Sequence, residues 1–117
     1  MEMEEIKQQK FTIIGADNYL TGEFHFTGHI NIAAVMEGTL IVKDGEIILG
    51  SQADYKGSIE CQDIEIFGKF KGTLKARNKV IIRSSAQVEG EIEASSMAVY
   101  PGAKLDLEGH TQQEQGL

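Results

Sequence analysis

The sequence predicts an all-β chain folded as a single-domain parallel β-helix, a β-solenoid of about five to six rungs with three short strands each. Three observations predict it: a glycine motif recurs along the chain, apolar residues alternate within each repeat, and like residues align when the repeats are superimposed. The 117 residues, 41% of them apolar, suit one domain with one continuous core.

The repeat motif is an apolar residue, any residue, glycine, any residue and a second apolar residue. Its glycines are Gly22, Gly38, Gly57, Gly72 and Gly90. They are separated by 16, 19, 15 and 18 residues, and Gly109 follows after another 19. These steps are too uneven for the strict hexapeptide repeat of left-handed acyltransferase helices. Because a chain that changes direction often needs a positive φ, we expect a glycine at one corner of each rung.

Three blocks of alternating apolar residues follow one another in each repeat, which indicates strands with one buried face. The first block aligns Phe24, Leu40, Ile59, Leu74, Ile92 and then Phe26, Val42, Cys61, Ala76, Ala94. The second aligns Ile30, Ile47, Ile64, Val80, Met97 and then Ile32, Leu49, Ile66, Ile82, Val99. The third aligns Ala34, Ala53, Gly68, Ala86, Ala103 and then Met36, Tyr55, Phe70, Val88, Leu105. Since no rung buries these residues alone, stacking of rungs is expected to fold the chain.

The outer boundaries of the solenoid follow from where the repeats begin and end. We expect a flexible N-terminal tail over residues 1–10, the β-helix over 11–109 and a short C-terminal tail over 110–117. On the outer surface, Glu60, Lys75 and Glu93 should stack with alternating charge and favour this register over a slipped one.

The sequence predicts no catalytic, cofactor or metal site. His25 and His29 are expected on successive outward strands and His110 in the tail, so three imidazoles do not converge as zinc requires. Cys61 falls in an inward column, where it is expected to be a small buried residue and not a nucleophile.

Charge and hydropathy restrict the partners and the compartment. The formal charge is −7 and the 11 Lys and Arg are dispersed, which argues against nucleic acid. No apolar run approaches the roughly 20 residues that cross a bilayer. With a single cysteine and no signal-peptide pattern, the expected location is cytoplasmic.

The chain resembles the bactofilins, polymer-forming bacterial cytoskeletal proteins. The resemblance covers residues 12 to 108 and rests on the opening Thr12-Ile13-Ile14-Gly15 and on Leu20-Thr21-Gly22, Met36-Glu37-Gly38, Phe70-Lys71-Gly72 and Val88-Glu89-Gly90. It implies a right-handed β-helix that assembles without nucleotide into non-polar filaments, often at the inner face of the cell membrane beside the cell-wall machinery. The start of the chain, with Glu2, Glu4 and Glu5, is acidic and leaves direct membrane contact open.

The two ends of the solenoid are the expected polymer interfaces, because their strand edges and core side chains would face water. At the N-terminal end the candidates are Ile14, Leu20, Phe24 and Phe26. At the C-terminal end they are Val99, Ala103, Leu105 and Leu107.

A lateral face offers a second candidate surface, since several apolar side chains are expected to point outward. Its residues are Val35, Ile48, Phe67, Ile81 and Tyr100. This surface suits an alternative function, a non-polymerising adaptor that binds a cell-wall enzyme or a membrane protein. A β-helical acyltransferase-type or polysaccharide-cleaving enzyme is a further alternative, but neither a histidine base at a subunit cleft nor a groove of paired acids and aromatics is seen in the sequence.

Overall fold

A computed structural model describes residues 11–15 and 19–108. All regular elements in this part of the chain are strands. They are β1 (Phe11–Ile14), β2 (Tyr19–Thr27), β3 (His29–Ile32), β4 (Val35–Lys43), β5 (Glu46–Leu49), β6 (Asp54–Ile66), β7 (Lys69–Ile82), β8 (Gln87–Val99) and β9 (Lys104–Glu108). Every pairing between them is parallel, which confirms the predicted β-solenoid.

Two stacks of strands wind upward and join in β6. Strands β2, β4, β6, β7, β8 and β9 pair in that order, and β1, β3 and β5 lead onto the second half of β6. The register matches the predicted columns: Leu40 lies opposite Ile59, which lies opposite Leu74. Lys75 lies between Glu60 and Glu93, as the alternating charges predicted.

The predicted short strands merge into longer ones, because the backbone pairing between rungs continues through the glycine corner. Gly57 and Gly72 are directly opposed and have φ of +127° and +140°. A Cβ atom at Gly72 would lie 1.9 Å from the carbonyl oxygen of Gly57. Both the backbone angle and the close approach of adjacent rungs therefore require glycine at this corner.

The glycine column ends at Leu107, which corrects the expectation that Gly109 continues it. Leu107 lies opposite Gly90, two residues after Leu105, which lies opposite Val88. Among the described residues Asp44 is the non-glycine residue with positive φ, so Leu107 does not adopt the corner angle. It is half-buried and packs against the core.

The lumen is filled by apolar side chains, and the part of the chain described holds no buried charged or polar residue in it. Tyr55 and Phe70 stack on adjacent rungs with ring centroids 5.7 Å apart. The Tyr55 hydroxyl lies 3.0 Å from the carbonyl of Gly38 and 2.7 Å from that of Ser58. Burial raises the pKa of Tyr55, so the phenol remains a neutral donor at this corner.

Candidate assembly surfaces

The N-terminal end of the solenoid is formed by β1 and β2. Each pairs on one edge, β1 with β3 and β2 with β4, and no described strand covers the opposite edge. Leu20, Phe24 and Phe26 are only 3% exposed, although we expected them near water. They point into the lumen and belong to the same core cluster as the next rung. Ile14 lies opposite Ile32, and its side chain is outside the described part.

The outer surface at this end carries polar groups beside the exposed ring of Tyr19. The Tyr19 hydroxyl donates to the Glu37 carboxylate at 3.0 Å, and Tyr19 itself is 61% exposed. His25 and His29 are exposed, and each lies 3.0 Å from a glutamate carboxylate. His110 lies outside the described residues. No cluster of three or more potential metal ligands occurs in the described ranges.

The C-terminal end leaves more of its core open to water. Leu105 continues the inward column of Phe70 and Val88, yet it is 37% exposed, whereas those two residues are 2% exposed. Val99, Ala103 and Leu107 are half-buried and pack against the core from the same end. The inward column thus loses its cover at its last described rung.

The strand edges at this end are also available. Strand β9 pairs with β8 on one edge, and the described residues provide no strand for the other. Ser96 to Val99 lie against β7 and have no described strand on their far side. An open edge above an apolar lumen is a surface on which a further strand can pair.

Charges of opposite sign flank Leu105. Lys104 and Asp106 are exposed and point outward, since side chains alternate along β9. The sequence reasoning missed these two residues because it considered only apolar side chains at the ends. The alternating order Lys104-Leu105-Asp106 was the signal that could have found them.

Four of the five predicted lateral residues lie close together on adjoining columns. Ile48 and Ile81 share an outward column with Glu65 between them. Phe67 and Tyr100 begin the next corner, and all four are half-buried. Val35 does not belong to this group: it is 39% exposed and lies beside Tyr19 on another face.

Arg83 organises the lateral surface, although the sequence pattern did not identify it as part of that surface. Its guanidinium carbon lies 5.5 Å from the ring centroid of Phe67 and 4.4 Å from that of Tyr100. Its Nε and one terminal nitrogen each lie 2.5 Å from the same oxygen of Glu65. The hydrogen bond to Glu65 raises the pKa of Arg83. One cation thus joins two aromatic rings and a carboxylate across three rungs.

Cys61 is an inward residue, as predicted, and is 1% exposed. Burial, with a further contribution from Asp63, raises the pKa of its thiol to about 12. A thiol in this state is not a nucleophile near neutral pH.

Residues 11–15 and 19–108 contain no helix that is long and apolar enough to cross a membrane.

Comparisons with known proteins agree with this architecture. A family model described as bactofilin, polymer-forming cytoskeletal, matches residues 12–111. A curated relative, bactofilin BacO of Myxococcus xanthus (strain DK1622), is 28% identical over 94 residues, which cover 80% of this chain and 74% of the relative. No solved structure matches the chain. With its parallel β-solenoid and a family match across nearly the whole sequence, the chain belongs to the bactofilins, a family of polymer-forming cytoskeletal proteins.

Proposed function

We propose that this protein self-assembles end to end, without nucleotide, into non-polar cytoskeletal filaments that act as a scaffold for cell-shape or cell-wall-related proteins. The observation that carries the proposal is the C-terminal end, where Leu105 is 37% exposed over an open strand edge. Family membership supports polymer formation in general. The open end supplies a physical route to it in this chain.

Apolar contact alone is too weak to hold the filament together. Complete burial of one leucine stabilises by about 2 kcal/mol, so the two Leu105 side chains of a contact contribute less than about 4 kcal/mol, because each is already partly buried. Association costs about 4 to 15 kcal/mol in lost freedom. Hydrogen bonds between strand edges of successive copies must therefore contribute, as they do between rungs within the chain.

The N-terminal end would join copies by a different balance of forces. A non-polar filament needs two kinds of contact, one between C-terminal ends and one between N-terminal ends. Because Leu20, Phe24 and Phe26 are already buried, the N-terminal contact would depend mainly on the edges of β1 and β2. The C-terminal contact would gain additional apolar burial.

The test is a substitution that places a charge on the exposed apolar end. Leu105→Arg is expected to abolish filaments in negative-stain electron microscopy and to remove sedimenting polymer, while circular dichroism still reports β structure. Val35→Arg is the matched control, because Val35 is 39% exposed but lies on an outer face near the other end. Normal filaments of Leu105→Arg would contradict the proposal.

A second candidate function is supported by the lateral surface of Phe67, Arg83 and Tyr100. Half-buried aromatic rings held by a cation form an ordered face. Through this face the protein, acting as an adaptor, would bind a cell-wall-modifying enzyme or a membrane protein. Sedimentation of the purified protein at several concentrations separates the two functions. A monomer that persists at every concentration would favour the adaptor.

A further inference from the structure

We propose that two copies meet at their C-terminal ends about a two-fold axis at Leu105, with β9 of one copy antiparallel to β9 of the other. In this contact Lys104 of each copy faces Asp106 of the other copy. The inference rests on the proposed end-to-end assembly and identifies the residues that set its register. Lys104 and Asp106 are thereby specificity-determining residues of the polymer.

The position of Leu105 along β9 favours a two-fold axis at this residue. A two-fold axis that pairs β9 with its copy is perpendicular to the face that carries β9, and in two coaxial solenoids it also crosses the solenoid axis, so it meets that face near its middle. The face that carries β9 begins after the corner at Gly102, which has φ of +103°, and ends at Leu107 in the corner column. Leu105 lies near the middle of this stretch.

The alternation of side chains limits the possible registers. Directly opposed residues of antiparallel strands point to the same face of the sheet, so a lumen residue must oppose a lumen residue. An axis at Leu105 satisfies this rule: Leu105 opposes itself, and Ala103 opposes Leu107. The same register places Lys104 opposite Asp106 twice, once on each side of the axis.

The neighbouring registers pair the charges of β9 less favourably. An axis at Lys104 would oppose two lysines, and an axis at Asp106 would oppose two aspartates. An axis at Leu107 would place Lys104 opposite a position beyond the end of β9. Like charges directly opposite one another destabilise strand pairing, whereas opposite charges stabilise it. Among the axes from Lys104 to Leu107, only the one at Leu105 pairs Lys104 with Asp106.

A head-to-tail contact makes no use of these charges. If β9 continued the columns of the next copy, Lys104 would lie beside Tyr19 and Asp106 beside Thr21, as the register within the chain shows. The charges of β9 therefore complement a second β9 better than they complement β2.

Charge reversal tests the register directly. Lys104→Glu and Asp106→Lys each convert both facing pairs to like charges, and each is expected to raise the critical concentration for sedimenting polymer about tenfold. The double variant, Lys104→Glu with Asp106→Lys, restores opposite charges and should assemble like the unsubstituted chain. A mixture of the two single variants should also assemble, because each copy then complements the other.

These outcomes separate the register from the proposed function. Polymer of the unsubstituted chain without rescue in the mixture or in the double variant would overturn the two-fold register and leave end-to-end assembly intact. Absence of polymer from the unsubstituted chain would overturn the proposed function itself. Folding of each variant is checked by circular dichroism and by its thermal unfolding.

Cross-linking gives an independent measurement. In a chain carrying Cys61→Ala, Leu105→Cys places two thiols beside the axis, and oxidation with copper–phenanthroline should give a disulfide-linked dimer on non-reducing gels. Asp106→Cys in the same background is the control, since its thiols would be displaced from the axis and should cross-link far less. Equal cross-linking of the two positions would overturn the register.

Discussion

Both ends of this solenoid carry inward apolar side chains on their last described strand, but these side chains differ in exposure. Phe24, on β2, is 3% exposed, whereas Leu105, on β9, is 37% exposed. Both strands have one edge that no described strand covers. The difference indicates that Phe24 contributes chiefly to folding, while Leu105 retains apolar surface that a second copy can bury.

The glycine corner differs between interior and end in the same way. At Gly72 an added Cβ would meet the carbonyl oxygen of Gly57 at 1.9 Å, but at Gly22 no described atom lies within 4 Å of it. Both residues have a φ that disfavours side chains, +140° and +128°. The interior corner is therefore constrained by packing and backbone angle, and the end corner by backbone angle alone.

Alanine substitution at these two corners should produce the largest effect of the set. Gly72→Ala combines the strained backbone with overlap against the rung below, and we expect a loss of more than about 4 kcal/mol in the free energy of unfolding, enough to prevent folding. Gly22→Ala should cost only the backbone strain, about 1 to 3 kcal/mol. Urea unfolding followed by circular dichroism measures both. Equal losses would show that rung contact does not add to the constraint.

Truncating the core residues of the two ends should give the next largest difference. Phe24→Ala removes a buried ring and is expected to lower the free energy of unfolding by about 3 to 5 kcal/mol. Leu105→Ala removes a side chain that is already partly in water, so below assembly concentrations it should cost less than about 1.5 kcal/mol. In addition to this small loss of stability, Leu105→Ala should weaken assembly. A large loss of stability at Leu105 would instead make it an ordinary core residue.

The sequence predicted the parts of the fold that depend on periodicity. Five repeats place residues such as Leu40, Ile59 and Leu74 in one column, and a slip by one residue would expose every one of them. The register of the last rung was harder to predict. Gly109 continues the spacing of the glycines, whereas Leu107 lies opposite Gly90 and continues the glycine column. Column alignment identifies the structural position here, since the spacing between repeats varies with the loops.

The candidate surfaces were predictable only in part. The sequence indicated that Leu105 lies at an end, but it could not show that Phe24 is buried, because exposure at an end depends on how the lumen closes. The position of Arg83 between Phe67 and Tyr100 depends on rotamers that the sequence pattern does not specify. The column of Arg83, in contrast, was predictable: Arg83 follows Ile82 as Phe67 follows Ile66, and those two isoleucines are aligned.

The smallest expected effect is one of thiol reactivity, and it compares the inside of the solenoid with its open end. Cys61 is 1% exposed and burial raises its pKa to about 12, so at pH 8 almost none of it is thiolate in the native state. A cysteine introduced by Leu105→Cys should be accessible and have a pKa nearer the usual 8.5. Labelling with an aromatic disulfide reagent at pH 8, below assembly concentrations, should modify the introduced thiol on the order of a thousandfold faster than Cys61. Denaturant should make the two rates equal, and similar rates in the native state would mean that the lumen around Cys61 opens as readily as the C-terminal end.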